Sequence, residues 1–202
     1  MERFQFQDGK DLPLTDITIQ GPRIVLTSIC EANAEDIFQH FNASVTRYMM
    51  PKPAECIEDT LEFISQSVAA MQAKQELVLV ISHQETGAFL GCCGFHGRGQ
   101  YRTPELGIWL KEAAHGHRYG FEAIQVLCAW AIQHVDFDAA IYPVSKVNIA
   151  SRKIPERLGG QVVAEKVIES MAGNELDQVV YKVPFSALVV TATESAMNVR
   201  EI

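Results

Sequence analysis

Gly116 and Gly120 stand among His115, His117 and Arg118 in the stretch AHGHRYGFEA (114–123), between the apolar runs LGIWL and AIQVLCAWAI. An extended run leading into a glycine-bearing helix start leaves several backbone N–H groups unpaired. The helix dipole adds partial positive charge at the same point. Glycine lets a ligand come close to those amides, so the chemistry on offer is anion binding, phosphate above all. No GK[ST] follows and the spacing is not GxGxxG, so neither a P-loop nor a dinucleotide-binding fold is indicated. Residue types alone leave an anion cradle and an ordinary loop both open. His96, His115 and His117 lack zinc-site spacing and a Cys/His partner set, so they read as solvated loop histidines and no metal is expected. Cys92 and Cys93 fall in one predicted strand with side chains on opposite faces, and no base is identifiable that would make either a nucleophile.

The elements that must hold these groups follow from periodicity. RIVLTSI (23–29) predicts a strand, and EANAEDIFQHFN a helix with Ile37, Phe38 and Phe41 on one side. IEDTLEFISQSVAAMQAK predicts a second helix, striped by Leu61, Ile64, Val68 and Met71. LVLVISH (77–83), AFLGCCGFH (88–96) and PELGIWL (104–110) then predict consecutive strands, with turns at 84–87 and 97–103. Tyr119–Val135 is apolar on nearly all sides and predicts a buried helix. DAAIYPV (138–144) predicts a strand, NIASRKIPERLGG a helix interrupted by Pro155, and QVVAEKVIES and LDQVVYKV two closing strands around MAGNE. Helices, then mostly antiparallel strands, then strand–helix–strand imply one mixed α/β (α+β) domain over residues 1–188. Residues 189–202 have little periodicity and are expected to form a tail, disordered or in contact with a partner. The apolar strand QVVYKVPFSALVV suggests pairing with a second copy, a homodimer.

The 202-residue length suits a single domain, and 48% apolar content provides a sizeable core. No charge-free apolar stretch reaches the ~18 residues that would suggest a membrane span. MERFQFQDGKDLP has no apolar signal core. Five cysteines without a CxxC pair suggest reduced thiols. Together these predict a cytoplasmic protein with no membrane partner. A net charge of −8 disfavours nucleic acid as a partner.

ELGIWLKEAAHGHRYGFEAI resembles the central region of the GNAT acyltransferase superfamily, where a strand E-x-G-Y-W-L is followed by [QR]-x-x-G-x-[GA] opening a helix. His115 stands at the Gln/Arg position, Arg118 at the first glycine and Gly120 at the Gly/Ala, while Gly116 and FEA match a common variant. NIASRKIPERLGG resembles N-x-x-S-x-x-V-x-E-K-L-G-F, with Asn148, Ser151, Glu156, Leu158 and Gly159 in place. The resemblance covers roughly residues 20–185 and is nearest the Rim-type N-terminal alanine acetyltransferases of ribosomal proteins. It implies the GNAT fold, a mostly antiparallel sheet flanked by helices, and acetyl-CoA as co-substrate. Its pyrophosphate would lie on the amides of His115, Gly116, His117, Arg118, Tyr119 and Gly120. The thioester would lie along Ile108, Trp109 and Leu110, with Asn148 and Ser151 contacting the rest. The chain departs from the pattern at Arg118, His115, Pro155 and Gly160. At a negative φ, Arg118 would simply add a cation for phosphate; at a positive φ it would be strained.

The implied reaction moves an acetyl group from a thioester to a neutral amine, acting as an enzyme; the alternative is a non-catalytic acyl-CoA-binding regulatory module on the same fold. A lysine-like amine (pKa ~10.4) is neutral only ~0.04% of the time at pH 7, a cost of ~4.6 kcal/mol, whereas an α-amine (~7.8) costs ~1 kcal/mol. Glu105 is the candidate base, directly or through a water. Alternation puts Glu105, Gly107 and Trp109 on one face. A backbone N–H near Ile108–Leu110 would serve the oxyanion. Ser151 is the candidate proton donor to the thiolate, with Asn148 a turn earlier on the same face and also suited to cap the helix. Tyr119 and Tyr142 read as packing residues, Tyr142 also placed to line a pocket. The helices within 31–73 would form a lid, with Phe41, Met49 and Met50 available to line it or the core.

Overall fold

The computed structural model describes residues 2–9 and 11–189. The expected C-terminal tail lies, apart from Val189, outside the described residues. The chain forms β1 (Thr18–Gln20), β2 (Ile24–Ser28), α1 (Ala34–His40), α2 (Ala43–Thr46), α3 (Ile57–Gln72), β3 (Glu76–His83), β4 (Phe89–His96) and β5 (Glu105–Leu110). It continues through α4 (Tyr119–His134), β6 (Ala139–Ser145), α5 (Ile149–Arg157), β7 (Gln161–Glu169) and β8 (Glu175–Pro184). The strands make one sheet in the order β1-β2-β3-β4-β5-β6-β8-β7. Every neighbouring pair is antiparallel except β5 and β6, which are parallel. This is the mixed α/β architecture the element order predicted.

Helices cover both faces. Ile108 and Leu110 of β5 turn toward α4, where their Cδ1 atoms lie 3.6 and 3.5 Å from a Cβ built on Gly120. The alternate residue Trp109 turns the other way, onto Phe41 just beyond α1 (ring centroids 4.9 Å apart). Ile24, Leu26, Leu79, Ile81, Ile124 and Leu127 are fully buried between these layers. Among the described residues no helix is long and apolar enough to cross a membrane.

Four expectations need correction. The buried face of α3 keeps Ile64 and Met71 of the predicted stripe, but Thr60 and Ser67 complete it, with Val68 only partly buried. Leu61 and Phe63 stand 38% and 45% exposed, and so does Phe38 on α1 at 38%. Phe63 faces the cleft instead of the core, so hydrophobicity alone does not settle which face of α3 is buried. Pro155 does not interrupt α5. It leaves the Ser151 carbonyl without its helical donor, yet the helix runs on and ends on Gly159 (φ +78°), with the Gly160 N–H donating to the Pro155 carbonyl at 2.8 Å. Finally, β8 is not free to pair with a second copy, because β6 and β7 flank it on both sides.

Candidate active site

The loop between β5 and α4 is built to leave amides open. After a 3-10 turn (Glu112–Ala114), His115 folds back so that its Nε2 lies 2.9 Å from the Leu110 carbonyl oxygen. Gly116 (φ +82°) and Arg118 (φ +65°) both take left-handed backbone. Arg118 is the N-cap residue of α4 and supplies no capping side chain. The first bond of the helix runs from the Glu122 N–H to the Arg118 carbonyl at 3.2 Å. The N–H groups of Tyr119, Gly120 and Phe121 therefore precede the ladder and point out of its end. Arg118 occupies the strained branch of the two foreseen, at a cost of ~1–2 kcal/mol.

A latch fixes this loop. Glu122, 8% exposed on α4, accepts from the Arg23 N–H (2.7 Å) and Nε (2.8 Å) and pairs with its Nη2 (2.7 Å). Arg23 Nη2 also donates to the His117 carbonyl at 3.1 Å, and the guanidinium lies 4.8 Å from the Tyr119 ring centroid. His117 stacks on Tyr119 at 5.6 Å. The side chains of His117 and Tyr119 are thus engaged within the protein, and what they offer a ligand is backbone. Sequence reasoning passed over this latch; its signal is a lone acid, Glu122, in the first turn of an apolar helix.

Beside the loop the sheet splits. β5 and β6 share one register pair, Glu105 with Ile141, where the Ile141 N–H donates to the Pro104 carbonyl at 2.9 Å. Alternation along β6 turns the N–H position of residue 143 toward β5 as well. Residue 143 is proline, so no donor exists there and the ladder ends. On β5, the Lys111 N–H goes to Leu90 of β4. By the same alternation the amides of Ile108 and Leu110 face the split, while the backbone of Trp109 faces β4. Of the three residues expected from sequence along the thioester, Ile108 and Leu110 turn their amides into the split, and Trp109 contributes its ring to the cleft wall.

Across the split, Tyr142 and Ser151 share a hydrogen bond of 2.8 Å. Tyr142 is buried, and burial pushes its phenol up to about 12. The Ser151 N–H donates to Asn148 Oδ1 at 3.2 Å, so Asn148 does cap α5. Both Asn148 and Ser151 line the cleft.

That cleft, about 1000 Å³, opens on the face opposite α4. Phe41, Met49, Met50 and Phe63 line it from the lid side, and Ile168 and Met171 from the β7–β8 hairpin. The Met171 N–H donates to the Met50 carbonyl at 2.8 Å, tying hairpin to lid. Glu105 and Gly107 lie on its floor with Trp109, the shared face that alternation predicted. Glu105 is 27% exposed in its side chain, and Arg98 Nη1 stands 3.5 Å from its Oε1.

His96 corrects the sequence reading. His115 and His117 are exposed loop residues, but His96 ends β4 and its side chain is only 17% exposed. Its Nδ1 lies 2.9 Å from Glu76 Oε2. The hydrogen bond to His96 is the main cause holding the Glu76 carboxyl below the usual carboxylate range. The imidazole leans over two register-paired glycines, Gly94 and Gly107, where added Cβ atoms would stand 2.3 and 3.0 Å from Nε2. Cys92 and Cys93 also border the cleft, but both are buried and burial pushes their thiols up. Among the described residues no group of three or more His, Cys, Asp or Glu could hold a metal.

A family profile for the acetyltransferase (GNAT) domain matches residues 23–161. The chain belongs to the GNAT acetyltransferase family. Among curated proteins none matches the sequence. Solved structures share the fold. The microcin self-immunity acetyltransferase MccE, in complex with acetyl-CoA and AMP, is 22% identical with a TM-score of 0.73, over 86% of this chain and 99% of that one. An acetyl transferase of Salmonella typhimurium that modifies the N-terminal serine of a 50S ribosomal subunit protein is 17% identical with a TM-score of 0.73, over 83% and 99%. The ribosomal α-N-protein acetyltransferase RimL, in complex with coenzyme A, is 15% identical with a TM-score of 0.72, over 85% and 99%.

Proposed function

We propose that this acetyltransferase carries an acetyl group from acetyl-CoA to a primary amine, a protein N-terminus or a small amine, by direct attack with both substrates bound. What carries the proposal is that an uncapped helix N-terminus and a split sheet edge meet at one place. The open amides of Tyr119–Phe121 and the left-handed Gly116 and Arg118 suit a diphosphate. The side chain of Arg118 stands exposed beside them as a cation. The split between β5 and β6 suits an extended arm. Acetyl-CoA would supply the activated thioester.

The chain's own residues do the rest. The Ile108 and Leu110 amides would stabilise charge on the thioester oxygen. Glu105, at the cleft floor, would draw in and orient the ammonium, directly or through a water. Ser151 and Tyr142 would give a proton to the departing sulfur. The nearby structures with acetyl-CoA or coenzyme A support this reading. Five unbridged cysteines fit a cytoplasmic setting.

A melting scan with acetyl-CoA tests binding: at 100 times the dissociation constant it should add ~2.7 kcal/mol. Glu105→Gln tests transfer. Acetylation of an N-terminally free peptide should fall sharply while acetyl-CoA affinity holds, because the carboxylate that orients the ammonium is gone. Affinity without transfer in the unaltered protein, across peptide and small amines, would instead favour the regulatory module.

A further inference from the structure

We infer that His96, anchored through Nδ1 by Glu76, is the group that takes the proton from the attacking amine, a task the sequence assigned to Glu105. This rests on the acetyl-transfer reading above.

Glu76, His96 and Glu105 are register partners across β3, β4 and β5, so their side chains leave the sheet in one row on one face. The row sits at the end of β4, away from the split. Glu105 stays in the row, beside Arg98. His96 alone leaves it. Its ring lies back along the sheet over Gly94 and Gly107, which carries Nε2 two residues nearer the Ile108 amide. Side chains at either glycine would deny it that place. The geometry also fixes the tautomer. A carboxylate only accepts, so Nδ1 beside Glu76 carries the proton of the neutral ring and Nε2 keeps its lone pair. Glu76 is then a positioning residue that orients the ring and balances its charge once protonated.

The proton count closes. The ammonium gives one proton to Nε2, which passes it to solvent. The amine nitrogen bonds to the acetyl carbon, and the carbon–sulfur bond breaks. The nitrogen gives its second proton to Nε2 in turn and so to solvent, while the sulfur takes one from the Ser151–Tyr142 pair, which solvent re-protonates. One proton is released per turnover.

Several other charged groups face the same space. Glu76 comes from β3 and Glu105 from β5 within the row, Arg98 stands beside Glu105, and Lys166 lies on β7. From the lid, Lys52 is paired with Glu55 at 2.6 Å, and Asp59 is committed to the N–H groups of Glu55 and Cys56. None of the lid groups approaches His96 within ion-pair distance among the described residues.

The test is kcat/KM against pH for the unaltered protein, His96→Gln, Glu76→Gln and Glu105→Gln, with an N-terminally free peptide as acceptor and acetyl-CoA affinity measured alongside. His96→Gln should lose about 100-fold or more and abolish the acid limb, with affinity unchanged. Glu76→Gln should lower kcat while KM and acetyl-CoA affinity stay unchanged, because the anchor that orients the ring at Nδ1 is weakened. An acid limb that survives in His96→Gln, or vanishes in Glu105→Gln alone, overturns the assignment. A protein that binds no acetyl-CoA overturns the functional reading instead. Nitrogen NMR of the unaltered protein gives an acceptor-independent check: neutral His96 must carry its proton on Nδ1, and a proton on Nε2 refutes the inference.

Discussion

Replacing Arg23 with alanine tests whether the open-amide loop before α4 is pre-formed for the proposed diphosphate. The substitution removes two of the three contacts to the Glu122 carboxylate, at 2.8 and 2.7 Å, and leaves the backbone N–H of residue 23 in place at 2.7 Å. Charge-assisted bonds contribute ~1.5–3 kcal/mol each. The Arg23 side chain is 47% exposed, so screening reduces that, and a net loss of ~2 kcal/mol is expected. For a chain of this size that lowers the melting temperature by ~4–8 °C. The loss of the His117 carbonyl bond and of the cation over Tyr119 should also free one or two loop residues. Re-ordering them on binding costs ~1–2 kcal/mol per residue, so acetyl-CoA should bind ~10-fold more weakly. Urea denaturation gives the first quantity and calorimetric titration with acetyl-CoA the second. If stability falls but affinity does not, the latch serves the fold alone and the loop organises itself without it.

Two further substitutions probe the same site. Arg118→Gly relieves the left-handed strain while Arg118→Ala keeps it, so the glycine variant should be ~1 kcal/mol the more stable by thermal scan, with both losing the cation and binding acetyl-CoA more weakly at low salt. Tyr142→Phe should slow transfer and leave Ser151 Oγ without its partner, costing ~1 kcal/mol. It also has an alkaline signature. A phenol raised to about 12 in the fold contributes stability that is fully present below its unfolded pKa of ~10 and is lost as pH rises through the folded value. Urea midpoints between pH 10 and 12 should therefore fall less steeply in the phenylalanine variant.

The elements that could be read from sequence were those whose signal is local. Strands β3 to β6 follow from short apolar runs bounded by turn residues, and α4 from a long apolar run. The three-residue β1 escaped because it is short, polar at its ends and an edge strand held only by β2. The faces of α1 and α3 were legible only in part, Ile37, Ile64 and Met71 being buried as expected. A helix that roofs a cleft presents apolar residues to two environments, and a hydrophobic stripe cannot separate them. The position of β8 inside the sheet is a matter of topology, and no pattern within QVVYKV encodes its neighbours.

The site divides along the same line. The open-amide start of α4 was legible because Gly116, Arg118 and Gly120 lie within five residues of one another. The row Glu76–His96–Glu105 was not, because it depends on two hairpin registers at once. The β3–β4 register contains a shift between Ile81 and Ser82. Counting back from the QETG turn without that shift displaces the strand by one residue, which sends every side chain to the other face. His96 reads as a loop histidine on other grounds, for want of metal-site spacing, and a register so displaced does not bring it back. Yet the clue was present in composition: Gly94 and Gly107 sit in otherwise apolar strands where glycine weakens the sheet. Two glycines facing each other across a ladder clear room for something, and here it is an imidazole. Pro143 works in the same way on the opposite side, since a proline in an inner strand costs no bond only where the neighbouring strand has already turned away. Residues that are poor for a sheet therefore mark where this sheet has been opened for chemistry.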